Sequence, residues 1–131
     1  GLVDTGGGLY LAARDLAKIG YLVLKNGVWE GKAIVPADWI RESTTPSVKV
    51  SGTDVQYGYN WWLIPYAMKE SSLAFCGDGF GGQYPIVMQD LNIVLVFTGW
   101  NLQPDRPSLS RRDAIDRVLD AVRDRQLRRP N

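Results

Sequence analysis

Ile93-Val94-Leu95-Val96-Phe97 is unbroken apolar sequence, and it limits the fold more tightly than any other stretch of this chain. A strand with no polar alternation has no face to give to water, so this run reads as a strand covered on both sides. Elements must therefore pack on both faces of a sheet. The run Tyr84 to Met88 precedes it, and Gln89-Asp90-Leu91 joins the two as a hairpin. Pro85 lies in the first arm and must sit where no ladder N–H is required.

The covering elements are legible on either side. Leu9, Ala12, Ala13, Leu16, Ile19, Gly20 and Val23 recur at i, i+3, i+4 and i+7, which makes one apolar helix face. Arg14, Asp15 and Lys18 turn outward, and Asn26-Gly27 supplies a left-handed stop. Ala12 stands where a capping side chain is usual, so packing rather than capping holds this helix. Val28 to Lys32 reads as a short turn, and Pro36 suits the first position of a short helix through Trp39, Ile40 and Arg41. Ser43 to Asp54 reads as a polar surface loop. Tyr57 to Ile64, ending at Pro65, and Ser72 to Cys76 read as further strands. Trp61 and Trp62, adjacent on a strand, must point to opposite faces. After a loop from Asn101 to Pro107, a final helix begins near Ser110. Asp113 completes an acidic capping box there, and Ala114, Ile115, Val118, Leu119 and Val122 form the apolar stripe. The fold class is α/β of the α+β type: an antiparallel sheet of three to five strands flanked by helices, the C-terminal helix laid on the sheet.

Composition excludes several kinds of chemistry. The 131 residues make one domain or part of one, and a formal net charge of +1 gives no reason to expect nucleic acid. The C-terminal arginines Arg125, Arg128 and Arg129 follow interleaved aspartates and read as a solvated helix end. No apolar run approaches the ~20 residues of a membrane span. With no histidine and a single cysteine, neither a usual zinc site nor a Ser-His-Asp or Cys-His machine can be built from this chain, and no cofactor is expected. Cys76 reads as a small buried hydrophobe.

Cys76-Gly77-Asp78-Gly79-Phe80-Gly81-Gly82-Gln83 carries the remaining signal. Glycines this dense either make a tight turn or present bare amide N–H groups to a developing negative charge. Asp78 among them reads as a turn former bonding its own backbone.

Three ordered segments together resemble the C-terminal half of the β-lactamase-related serine hydrolases, a superfamily of class C β-lactamases, DD-peptidases and esterases. They are Gly6 to Gly20 continuing to Asn26–Lys32, then Ile34–Ile40, then Tyr57–Trp62 followed by Gly79–Gln83, spanning 6–99. The resemblance implies that residues 1–131 are the C-terminal portion of a single β-lactamase-like domain. It makes Phe80-Gly81-Gly82 the family's third motif and Gln83 the backbone oxyanion donor, with Trp62 also facing substrate; Gly77-Asp78-Gly79 is an alternative register. The Gln83 N–H should then lack a carbonyl partner and face an open cleft, with Phe80 beside it. The family's Ser-x-x-Lys motif occurs nowhere in the chain, so nucleophile and base must come from elsewhere.

A lysine at position 80 could clamp a substrate carboxylate. Phe80 cannot, which favours an esterase or amidase acting on a small ester, amide or peptide-like substrate. The resemblance further implies a periplasmic or extracellular setting, and self-association or pairing with the missing N-terminal part. A rival from the residues alone is a stand-alone aromatic-rich module binding sugars or peptides, for which five tryptophans would serve. Another is a structural piece whose glycines are only turns.

Overall fold

The computed structural model describes residues 8–67, 72–99 and 109–127. The chain opens with helix α1 (Ala13–Leu24), whose N-terminus has no side-chain cap, as Ala12 foretells. Its C-terminus closes as a Schellman motif: the Asn26 N–H donates to Val23 O, and the Gly27 N–H to Leu22 O. Asn26 and Gly27 both have positive φ (50° and 86°), the conformation this motif needs.

The stretch expected to be a turn is a minimal hairpin. Strands β1 (Val28–Trp29) and β2 (Lys32–Ala33) pair across Glu30 and Gly31, whose φ values of 48° and 76° fit a type I′ turn. Helix α2 (Ala37–Ser43) follows, starting one residue later than Pro36 suggests. Six strands then run as an antiparallel meander in chain order: β3 (Val48–Lys49), β4 (Gln56–Tyr57), β5 (Trp62–Pro65), β6 (Leu73–Cys76), β7 (Gln83–Met88) and β8 (Ile93–Thr98). Helix α3 (Arg111–Leu127) completes the described chain.

The class is α+β as expected, but the sheet has six strands where three to five were anticipated. Two departures account for this. The polar stretch read as a loop contains β3, a two-residue rung with no apolar alternation to announce it. The single strand expected from Tyr57 to Ile64 is two, because the chain reverses between them: Gly58 N–H donates to Trp61 O, and Asn60 sits at φ 61°.

Strand alternation sorts the core into two layers. Ile64, Ala74, Cys76, Ile86 and Met88 pack against Ala114, Ile115 and Leu119 of α3. Leu63, Phe75 and Val87 point the other way, toward Val23 of α1 and Ile40 of α2. Strand β8 follows the same rule. Val94 joins the α1 layer, while Ile93, Leu95 and Phe97 join the α3 layer. The unbroken apolar run is thus covered on both faces, although β8 is the last strand of the sheet.

Helix α1 comes very close to this strand. A Cβ added at Gly20 would stand 2.7 Å from Val94 Cγ1, so the absence of a side chain there lets helix and strand approach.

Candidate functional site

The meander gathers the chain's unusual residues at one end of the sheet. Trp62 opens β5 opposite Cys76, the last residue of β6, and Gln83 opens β7 opposite Thr98, the last of β8. The glycine-rich segment links β6 to β7 at this end.

Its first residue, Gly77, donates to Pro85 O at 2.9 Å. The Pro85 carbonyl therefore faces β6, and the ring nitrogen, which has no hydrogen to offer, lies along the same edge. A Cβ at position 77 would meet the Pro85 ring at 2.7 and 2.9 Å, so the proline fits only because its neighbour is glycine.

A tight turn follows. Gly79 N–H donates to Gln83 O at 2.8 Å, and Gly79 O accepts from Gly82 N–H at 3.1 Å and from Gln83 N–H at 3.4 Å. Gly81 and Gly82 have φ of 81° and 93°, where a side chain is strained. Phe80 at the tip is 80% exposed. The Gln83 amide thus has a carbonyl partner, contrary to the expectation of a free donor. Among the described residues, two well-formed surface concavities are lined by neither Phe80, Gly81, Gly82 nor Gln83. One, of about 420 Å³, lies by α2 and Tyr59; the other, of about 320 Å³, lies between α1 and the β1–β2 hairpin.

Trp61 and Trp62 do point to opposite layers. Trp62 lies at the same end as the glycine turn. Tyr57 meets its ring edge-on at 5.0 Å, and the Arg111 guanidinium lies 4.8 Å from its centroid. Arg111 also pairs with Asp78 at 3.2 Å, so Asp78 is an ion-pair partner on the segment leading into the turn, not the turn former bonding its own backbone that was expected. Sequence reasoning missed this pair, and no local spacing could have revealed residues so far apart. Cys76 is fully buried, and burial pushes its thiol up to about 12, which makes it a poor nucleophile. Trp39, on α2, is half-exposed and stacks on Tyr59 at 5.7 Å.

At the opposite end of β6, the buried Ser72 hydroxyl donates to Asp90 Oδ2 at 2.6 Å. Burial first, then the Asp90 charge, raises Tyr66 to about 12. This cluster ties β6 to the β7–β8 turn, remote from the glycine segment. Among the described residues no group of three His, Cys, Asp or Glu could hold a metal ion, and no helix is long and apolar enough to cross a membrane.

A six-stranded antiparallel meander between α1 and α3, with a glycine turn opening β7, is part of a β-lactamase-like fold. A solved structure of similar fold is a Bacillus anthracis protein provisionally named a 6-aminohexanoate-dimer hydrolase. The two share 24% sequence identity with a TM-score of 0.65, over 91% of this chain and 30% of that one. This chain therefore spans under a third of its structural neighbour's length. No family model and no curated protein matches it.

Proposed function

We propose that the chain is the C-terminal part of a β-lactamase-related serine acyl hydrolase of esterase or amidase type. The observation that carries this reading is the Gly79–Gln83 turn, with its glycines at positive φ and Phe80 projecting from the tip, placed at the sheet end of a β-lactamase-like fold. In this reading Phe80-Gly81-Gly82 is the third motif, and the Gln83 N–H turns to the oxyanion of a tetrahedral intermediate. The bond it would exchange is its 3.4 Å contact with Gly79 O, at the long limit for an N–H···O bond, so little is lost in the exchange. Gly79 remains tied to Gln83 through its own N–H at 2.8 Å, which keeps the turn closed meanwhile.

Phe80 and Trp62 offer apolar and aromatic surface to an acyl chain. Neither can pair with a carboxylate, so the substrate class is a neutral ester or an amide, including peptide-like ones. The neighbour's name, that of a hydrolase of an aminohexanoate dimer, agrees with amide hydrolysis. Serine nucleophile, lysine and tyrosine come from sequence beyond these 131 residues. That missing part, or a second copy, pairs with the open edge of β8.

The test is to express the source reading frame with its upstream sequence and treat it with a serine-directed fluorophosphonate and p-nitrophenyl esters. Labelling of a Ser-x-x-Lys serine, with turnover lost in Gly82→Ala, is expected; an upstream sequence without that motif would sink the proposal. A second reading, a non-catalytic binding module, is favoured by the half-exposed Trp39–Tyr59 stack beside the larger concavity. Tryptophan fluorescence changes with oligosaccharides or peptides, in a chain that never labels, would select it.

A further inference from the structure

The first turn of α3 begins with Arg111 and Arg112, cations at the helix end where the dipole disfavours them. Something must compensate. For Arg112 the compensation is Asp54, gripped by Nη2 at 2.7 and 2.9 Å, together with Pro65 O at 3.1 Å from Nη1. For Arg111 it is the glycine segment.

We propose that Arg111 is a positioning residue for the Gly79–Gln83 turn, pairing with Asp78 while its guanidinium rests on the Trp62 ring, so that the turn is held in one shape. The geometry supports each link. Cys76 and Asp78 are two residues apart on an extended segment, so they share the α3 face, where Trp62 is the cross-strand neighbour of Cys76. The guanidinium lies over the Trp62 ring at 4.8 Å and pairs with Asp78 Oδ2 at 3.2 Å. Its side chain is 23% exposed, and Nη1 is closed off from solvent with no hydrogen bond of its own, so the Asp78 carboxylate meets it as a charge at 3.2 Å and makes this burial tolerable through ion pairing alone. Asp78 is joined directly to Gly79. That residue anchors three of the turn's hydrogen bonds, through its N–H to Gln83 O and its carbonyl to the Gly82 and Gln83 amides, while the Gly82 carbonyl accepts from Gly99 N–H. Fixing Asp78 therefore fixes the hub from which the turn hangs. A helix distant in sequence thereby sets the shape of the loop, and Trp62 serves as the platform.

The consequence for an oxyanion donor rests on the proposed function, but the clamp itself can be tested without activity. Amide hydrogen exchange by NMR on this chain, in Arg111→Met, Arg111→Lys, Asp78→Asn and the Arg111→Met/Asp78→Asn double variant, reads the turn directly. Either loss of charge should speed exchange of the Gly79 and Gly82 amides about tenfold. The double variant should add nothing further, and Arg111→Lys, which keeps the charge without the planar stack, should fall between. The Gly27 and Asn92 amides, bonded at the end of α1 and in the β7–β8 turn, serve as references and should keep wild-type rates. Turn amides exchanging at wild-type rates, references speeding up equally, or additive single effects would each overturn the clamp. Failure of the hydrolase reading would leave these rates unaffected, so the two proposals can fail separately.

Discussion

Replacing Gly20 by alanine sets two effects against each other at the contact between α1 and β8. Glycine inside a helix costs about 1 kcal/mol relative to alanine, so propensity alone makes the change stabilising. The new methyl, however, would stand 2.7 Å from Val94 Cγ1, closer than carbon atoms tolerate, and 3.4 Å from Val87 Cγ2, an ordinary contact. Val94 is β-branched and cannot swing aside cheaply, so overpacking of about 1–3 kcal/mol is expected. The clash wins: Gly20→Ala should destabilise the chain by about 1 kcal/mol net. Val94→Ala removes the obstacle at its own cost of about 1–2 kcal/mol. In that background Gly20→Ala should become stabilising by about 0.5–1 kcal/mol, a reversal of sign. Urea titrations of the four proteins, followed by far-UV circular dichroism with a common slope, measure the cycle. A stabilising Gly20→Ala in the parent chain, or an equal loss in both backgrounds, would refute the claim that this helix seats against β8 through its glycine.

Other outcomes follow from the same structure. Glu30 occupies the first left-handed position of the β1–β2 turn, so Glu30→Asn should raise stability by about 0.5–1 kcal/mol in urea titrations. Asp113 accepts hydrogen bonds from the Ser110 hydroxyl and N–H, which hold its carboxyl below the ordinary 3.8. A lowered native value means stability present above 3.8 and lost as pH falls through the native value. Helicity should therefore drop in acid with an Asp113 component that Asp113→Asn abolishes, by circular dichroism. Because β8 ends the sheet with an apolar strand, sedimentation of the chain alone should show a dimer or larger species that proline at an outward-facing N–H of β8 disperses. A monodisperse monomer would count against that.

What the sequence disclosed tracks how local the cause was. The Asn26-Gly27 stop, the β7–β8 hairpin and the α3 capping box are written in neighbouring residues and stand where expected. Only the Leu16, Gly20 and Val23 part of the expected α1 face packs: Leu9 and Ala12 precede the helix, and Ala13 and Ile19 are exposed. Strands β3 and β4 are two residues each, too short for alternation to register; β4 exists because β5 offers it an edge, and β3 because β4 does. The turn at Asn60 was hidden by aromatic residues with high strand preference on either side. At the candidate site the glycines announced a turn. Its closure through Gly79, and its attachment to Arg111, depend on tertiary placement that no window of sequence contains.

Pro85 gives the sheet a built-in seam. Its carbonyl takes the bond from Gly77, but the ring returns nothing, so the β6–β7 zipper has a tooth missing immediately before the glycine segment. On the other side β7 matches β8 without interruption from Gln83–Thr98 to Met88–Ile93. A disturbance of the loop can therefore travel back toward β6 only as far as one weakened rung, while β7 stays registered on its other neighbour. The backbone can breathe on one flank and hold its coordinates on the other. The glycine segment can therefore shift on its β6 flank without loss of its alignment on β8.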